Sequence, residues 1–95
     1  NIFDNLSSLK QLYLNSNQLT KLSGKIFIYL SNLEILNMTD NYLSELNIEP
    51  YSLYNLKQFL LGKNRFKDLH FLNSIMNLNE IDLSDNYRLE TISIE

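Results

Sequence analysis

An apolar pattern that recurs four times constrains this 95-residue chain more than any other feature. In each copy an apolar residue stands at the first, fourth and sixth positions, and an asparagine stands at the ninth. The copies begin at Leu9, Leu33, Leu56 and Leu78, at spacings of 24, 23 and 22 residues. A unit of this length cannot bury its apolar residues alone, so the sequence predicts a stack of repeats that share one core.

The middle of each copy has the pattern of a short β-strand. Leu12 and Leu14 alternate with Gln11, Tyr13 and Asn15, which is the two-residue period of a strand with one buried face. We expect the copies to pair as parallel strands of one sheet. The fourth positions should then form a single buried row of Leu12, Leu36, Phe59 and Ile81.

Each strand is followed by a turn that leaves backbone N–H and C=O groups inside the stack. A buried asparagine can donate to and accept from such groups. The ninth position of each copy predicts this role for Asn17, Asn41, Asn64 and Asn86.

Composition and charge argue against several classes of function. The net charge of −3 argues against nucleic-acid binding, and no apolar run approaches the roughly 18 residues of a membrane span. The sequence has no cysteine and one histidine, His70, so no zinc–thiolate site or catalytic triad is expected. The carboxylate pairs Asp82/Asp85 and Glu45/Glu49 are interpreted as solvated, because acid–base chemistry needs an enclosed pocket. We therefore predict a protein that is not an enzyme and that has no metal or cofactor.

The pattern L-x-x-L-x-L-x-x-N-x-L resembles the leucine-rich repeat. The resemblance implies an α/β solenoid, a right-handed superhelix with about four short parallel strands on its concave side, an irregular convex side and an asparagine ladder. Phe27 and Tyr51 resemble the convex-side phenylalanine of the longer, typically extracellular repeats, and Phe3 stands at the same distance before Leu9. We expect helical turns near residues 26–31 and 72–77, whereas Pro50 argues against a regular helix between them.

The whole chain is predicted to be one repeat array. It divides into a partial repeat at 1–8, full repeats at 9–32, 33–55 and 56–77, and a partial repeat at 78–95. Neither end resembles the cysteine-rich or helical caps of the family, so we expect these residues to be an excerpt of a longer array. Uncovered ends predict marginal stability or self-association, as a dimer or larger complex.

The outward strand positions differ from copy to copy and are the predicted partner-binding residues, because solenoids bind through their concave surface. They are Gln11, Tyr13, Asn15, Ile35, Asn37, Thr39, Gln58, Leu60, Glu80, Asp82 and Ser84. Tyr13, Ile35 and Leu60 fit either interface anchors or ordinary surface residues. Glu80 and Asp82 make the C-terminal half acidic, which predicts a basic partner surface or a solvated face.

Protein recognition is the function that the resemblance implies. The convex aromatics resemble those of Toll-type receptor ectodomains and of insect leucine-rich immune proteins, which implies a secreted or extracellular module that binds a protein ligand or co-receptor. The 22-residue third repeat and the lack of cysteine instead favour an intracellular adaptor or regulator. A targeting module of a larger enzyme is a third alternative. Asn5 and Asn37 begin glycosylation sequons, although chance predicts about two sequons in this composition.

Overall fold

Four short strands form one parallel sheet whose strands follow chain order. The computed structural model describes residues 4–75 and 77–89. The strands are β1 (Gln11–Tyr13), β2 (Ile35–Asn37), β3 (Gln58–Leu60) and β4 (Glu80–Asp82), in the order β1-β2-β3-β4. Each strand begins two residues after the leucine that opens its copy, so the parallel sheet expected from the repeat spacing is confirmed. The handedness of the superhelix stays a prediction, and Phe3 and the end of the last partial repeat lie outside the described residues.

The predicted row of apolar side chains is present in the strand register. Leu12 pairs with Leu36, Leu36 with Phe59, and Phe59 with Ile81. Leu36 and Phe59 are fully buried, whereas Leu12 is half-buried and Ile81 is 36% exposed. This difference arises because β1 and β4 lie at the edges of the sheet that the described residues form, where each pairs with one strand only.

One apolar cluster runs through the stack. Its buried members are Phe27, Leu30, Leu33, Leu36, Met38, Leu43, Leu46, Ile48, Leu53, Leu56, Phe59, Leu61, Phe66 and Phe71. The half-buried leucines of the first and fourth copies pack against this cluster. A continuous core of this kind makes the stability of each copy depend on its neighbours.

The chain returns from one strand to the next through segments that contain only short helices. Among the described residues, 3₁₀-helices span Asp4–Ser8, Gly24–Tyr29 and His70–Ser74. The last two agree with the helical turns expected near 26–31 and 72–77. The return segment that contains Pro50 forms turns between residues 50 and 55 instead, as the missing N–H of proline predicts.

The predicted equivalence of Tyr51 with Phe27 is wrong. Phe27 is fully buried, whereas Tyr51 is 66% exposed and has a left-handed φ of 68° in the turn after Pro50. Ile48 and Leu53 supply the buried side chains of this segment. In the shorter third return segment, Phe71 is buried and its ring lies 5.1 Å from that of Phe66, a packing role that the periodicity did not indicate.

A second row of asparagines joins the copies on the return side. Asn32, Asn55 and Asn77 each precede the leucine that opens a copy, and each is exposed. Their Nδ2 groups donate to the carbonyls of Ser7, Ser31 and Tyr54 in the preceding segment, at 2.7, 2.8 and 2.9 Å. The stack is therefore held by side-chain amides on the return side as well as at the turns after the strands.

Candidate protein-binding face

The turn after each strand is made by a residue in the left-handed region. Ser16, Asp40, Lys63 and Asp85 have φ values of 58°, 62°, 54° and 58°. Each stands directly before the asparagine at the ninth position of its copy. None is glycine, so each turn stores a small conformational cost that its other contacts must offset. Because this geometry is repeated, the backbone leaves the sheet through the same kind of turn in all four copies.

The turn asparagines that have a copy before them in the described sheet offset that cost by bonding to two copies at once. The Nδ2 group of Asn64 donates to the carbonyls of Leu61 and Gly62 in its own turn, at 3.1 and 3.2 Å, and to Met38 of the preceding copy at 2.9 Å. Its Oδ1 accepts from the backbone N–H of Leu43 at 3.0 Å. Asn41 and Asn86 make the same set of bonds one copy earlier and one copy later. All three side chains are buried.

Asn17 differs from the prediction because it is exposed. Its Nδ2 group donates to the carbonyls of Leu14 and Asn15, at 2.9 and 3.2 Å, which are both in its own turn. No strand pairs with β1 on that side of the described sheet. Asn17 therefore lacks the neighbour that buries the other three.

The outward face of the sheet presents two rows of unlike side chains in register. One row is Gln11, Ile35, Gln58 and Glu80, and the other is Tyr13, Asn37, Leu60 and Asp82. Rows of this kind place side chains from different copies next to one another, as cross-strand pairs do in any sheet. The structure thus brings together residues that lie more than twenty positions apart in the chain.

The predicted partner-binding residues differ in exposure according to their strand. Those of the edge strands are exposed: Gln11, Tyr13, Asn15, Glu80, Asp82 and Ser84. Those of the inner strands are half-buried by neighbours on both sides: Ile35, Asn37, Thr39, Gln58 and Leu60. Tyr13, at 54% exposure, offers the largest exposed ring on this face, and Gly62 is buried beside the face.

The C-terminal half of the face carries its negative charge. Gln58 Nε2 donates to Glu80 Oε1 at 3.1 Å, which holds that carboxylate on the face. Hydrogen bonds from the Ser84 side chain and backbone lower the pKa of the exposed Asp82 carboxyl, and the backbone N–H of Ser84 lies 2.9 Å from Asp82 Oδ1. Asp82 is therefore ionised at neutral pH, and it stays ionised to lower pH than an aspartate that lacks these hydrogen bonds.

The two sequon asparagines lie in different environments. Asn5 is exposed within the first 3₁₀-helix. Asn37 is half-buried in β2, and its Oδ1 accepts from the backbone N–H of Thr39 at 3.0 Å. A glycan on Asn37 would occupy the centre of the outward face, whereas one on Asn5 would leave that face open.

The remaining sequence candidates for chemistry do not assemble into a site. His70 is exposed, and its backbone N–H donates to Asp68 Oδ1 at 3.3 Å. The acidic pairs are also exposed: Asp82/Asp85 and Glu45/Glu49. Among the described residues no group of three potential metal ligands is close enough to hold an ion. Over the same residues, no helix has the length and apolar character needed to cross a bilayer.

A second row of surface residues was not anticipated from the sequence. Tyr42, Arg65 and Tyr87 each stand one position after a turn asparagine, at the rim where the strands end. The Arg65 guanidinium lies 4.5 Å from the centre of the Tyr42 ring, and Tyr87 is 87% exposed. The repeat alignment could have indicated this row, since Tyr42, Arg65 and Tyr87 occupy equivalent positions in three copies.

Two family models match the sequence. Both describe the leucine-rich repeat, one over residues 1–43 and the other over residues 32–56. Together with the parallel sheet, they decide the family. The chain belongs to the leucine-rich repeat family. No curated protein and no solved structure gave a significant match to it.

Leucine-rich repeat domains generally mediate protein–protein binding and are typically non-catalytic. In this leucine-rich repeat chain, the outward face supplies what such binding needs. It is a continuous surface of varied side chains, and the hydrogen-bonded strands beneath it hold those side chains in fixed register.

Proposed function

We propose that this chain is the protein-binding module of an extracellular receptor or innate-immune recognition protein, and that its partner binds the outward face of the sheet. The observation that carries the proposal is the register of that face, which joins Tyr13, Asn37, Leu60 and Asp82 in one row across four copies. Identical copies would offer a partner no distinction along the array, whereas this row changes chemistry at every step.

The row makes the two ends of the binding face chemically different, so a partner can bind in one orientation only. Its first copy contributes an aromatic ring, the middle copies contribute an amide and a half-buried leucine, and the last contributes a carboxylate. Aromatic residues are favoured anchors in protein interfaces, whereas charged residues set partner orientation and association rate. A matching partner presents an apolar pocket opposite Tyr13 and a basic side chain opposite Asp82.

Site-directed photo-crosslinking tests the location of the partner. Tyr13 and Tyr54 are matched probes, because they are 54% and 53% exposed and lie on the sheet and on a return segment, respectively. We replace each in turn with a photoreactive phenylalanine and irradiate the variants in extracellular fluid and in cell extract. A discrete protein adduct from position 13 alone supports the proposal. Adducts from position 54 alone, or the same adducts from both positions, contradict it.

Charge reversal tests the direction of the face. Glu80→Lys and Asp82→Lys together should slow association with the captured partner at low salt, because they reverse the local field. The effect should shrink as salt is added, since exposed charges are screened. The matched control is Glu45→Lys with Glu49→Lys, which reverses two exposed carboxylates away from the sheet. An equal slowing in both pairs would contradict a directed face.

The compartment is proposed to be extracellular, and glycan analysis tests it. A glycan found by mass spectrometry on Asn5 of the native protein would support secretion. Asn5 is exposed and lies in the first 3₁₀-helix, which packs near the second 3₁₀-helix on the return side, so that site is compatible with binding at the outward face. The 22-residue spacing of the third copy favours the alternative, an intracellular adaptor or regulator. Native protein recovered from the cytosol without a glycan would support that alternative.

A further inference from the structure

A groove of about 420 Å³ lies at the rim of the sheet, beside the turns of the last three copies. Its walls include Tyr42, Lys63, Arg65, Tyr87 and Arg88. These residues follow the strands, so the groove is a surface separate from the outward strand positions. It is built on the turns that Asn41, Asn64 and Asn86 fix through their amide bonds.

The floor of the groove is hydrogen-bonded to the preceding copies. The backbone N–H of Tyr42 donates to the carbonyl of Leu19 at 2.8 Å, and that of Arg65 donates to the carbonyl of Leu43 at 2.7 Å. Tyr42 and Arg65 are thus each tied to the preceding copy. The Tyr42 ring then supports the Arg65 guanidinium from one side, which orients its N–H donors and lowers the entropy lost when they bind a ligand.

The cations of the groove have unused binding capacity. Within the described residues, Lys63, Arg65 and Arg88 take part in no ion pair, and all three are exposed. Arg88 reaches the rim because the fourth copy departs from the repeat pattern. An arginine stands where the other copies have Leu19, Leu43 and Phe66, and Leu89 packs against the core one residue later.

The carboxylates beside the groove, in contrast, already have local donors. Asp40 Oδ2 accepts from the Ser16 hydroxyl at 3.2 Å, and Asp85 Oδ1 accepts from the Tyr87 hydroxyl at 2.8 Å. Three cations without anionic partners therefore face two carboxylates that are each hydrogen-bonded. Because the lining holds three cationic side chains and two carboxylates, its net charge is positive, although the whole chain has a net charge of −3.

We propose that this rim groove is a second docking site, which receives an acidic segment of a protein partner. The partner's carboxylates bind Arg65 and Lys63, and an adjacent apolar side chain packs on the exposed Tyr87 ring. Arginine suits this role because its planar group can bind a carboxylate through two parallel hydrogen bonds. A protein source is favoured because binding proteins is the general activity of the family. The groove does not depend on the outward face, so either site can fail without the other.

The test uses the whole chain and an N-acetylated, C-amidated tetraglutamate peptide as the probe. The backbone N–H signals of Tyr87 and Arg88, which line the groove and remain in every variant, are followed by NMR. We expect a saturable shift at low salt. Arg65→Gln and Lys63→Gln should each weaken binding roughly fivefold, as the loss of one exposed charge pair does. Asp85→Asn should tighten binding, because it removes a competing charge. Lys57→Gln is the matched control, since Lys57 is an exposed lysine of the same copy at the other end of β3.

Several outcomes would overturn the proposal. One is the absence of a saturable shift in the unsubstituted chain when its amide spectrum shows folded protein. Another is an equal loss of affinity in Lys57→Gln, which would indicate general attraction of a polyanion to basic residues. A third is displacement of the peptide by an equal concentration of inorganic phosphate, which would assign the groove to a simple anion. Loss of crosslinks from position 13 would leave the rim site unaffected.

Discussion

Asn64 and Asn17 occupy the same position of the repeat, but they make different contacts. Asn64 is buried and bonds to four backbone groups, two of them in the preceding copy. Asn17 is exposed and bonds to two carbonyls, both in its own turn. The comparison shows that the repeat motif specifies the turn itself, whereas a neighbouring copy determines how strongly the asparagine is held.

The apolar row repeats this lesson. Leu12 and Leu36 are the same residue type in register on adjacent strands, and of these two only Leu36 has strands on both sides in the described part of the sheet. Leu36 is fully buried, whereas Leu12 is half-buried. A residue's contribution to stability should therefore follow its place in the stack more closely than its place in the repeat.

The largest expected effect is the difference between two leucine truncations. Leu36→Ala should lower the free energy of unfolding by about 3 kcal/mol, because it opens a cavity in the shared core. Leu12→Ala should cost about 1 kcal/mol, because the side chain is already partly in water. Urea denaturation of both variants checks this prediction. Equal losses would mean that the first copy is held as firmly as the second.

The asparagine pair gives the next largest difference. Asn64→Ala should cost about 2 kcal/mol, because the Leu43 N–H and the facing carbonyls lose their partner inside the protein. Asn17→Ala should cost about 0.5 kcal/mol, because water can replace its bonds. The same denaturation experiment measures both, and similar values would contradict a role for the preceding copy.

The sequence predicted the features that depend on the periodic pattern. The strand row of Leu12, Leu36, Phe59 and Ile81 follows from spacing alone, because a strand alternates its faces whatever lies beyond it. The outward rows follow for the same reason. Asn17 departs from the prediction because burial depends on a neighbour, which a motif within one copy cannot report.

The irregular segments were harder to predict. Tyr51 has the residue type and approximate position of a buried aromatic, but the turn after Pro50 gives it a left-handed backbone and directs burial to Ile48 and Leu53. The left-handed positions in the turns after the strands are occupied by serine, aspartate and lysine, so no glycine in the sequence marks those turns. The rim groove was missed because its residues become neighbours only when the copies stack.

The two glycines extend the comparison from the sheet to the return side. A Cβ on Gly24 would overlap the backbone carbonyl of Asn47 in the next return segment, whereas one on Gly62 would contact the Ser84 hydroxyl at 3.0 Å. Backbone cannot yield as a rotatable hydroxyl can, so Gly24→Ala should cost about 2 kcal/mol and Gly62→Ala less than about 1 kcal/mol. Thermal denaturation ranks the two variants. The reverse order would place the tighter contact between copies on the sheet side.

The smallest expected effect concerns two tyrosines at one repeat position. The Tyr42 ring lies against Arg65, whereas the hydroxyl of Tyr87 in the last copy donates to Asp85. The hydrogen bond to Asp85 and the negative charge of the Asp85 carboxylate together raise the pKa of Tyr87 above the ordinary tyrosine value. Because the folded-state pKa is the higher one, the bond is present at neutral pH and is lost as pH rises through the pKa of Tyr87. An NMR titration of the Tyr87 ring carbon should show this midpoint returning toward the ordinary value in Asp85→Asn. Asp40→Asn is the matching change beside Tyr42 and should leave the Tyr87 midpoint unchanged. An unaltered Tyr87 midpoint in Asp85→Asn would show that Tyr87 titrates independently of Asp85.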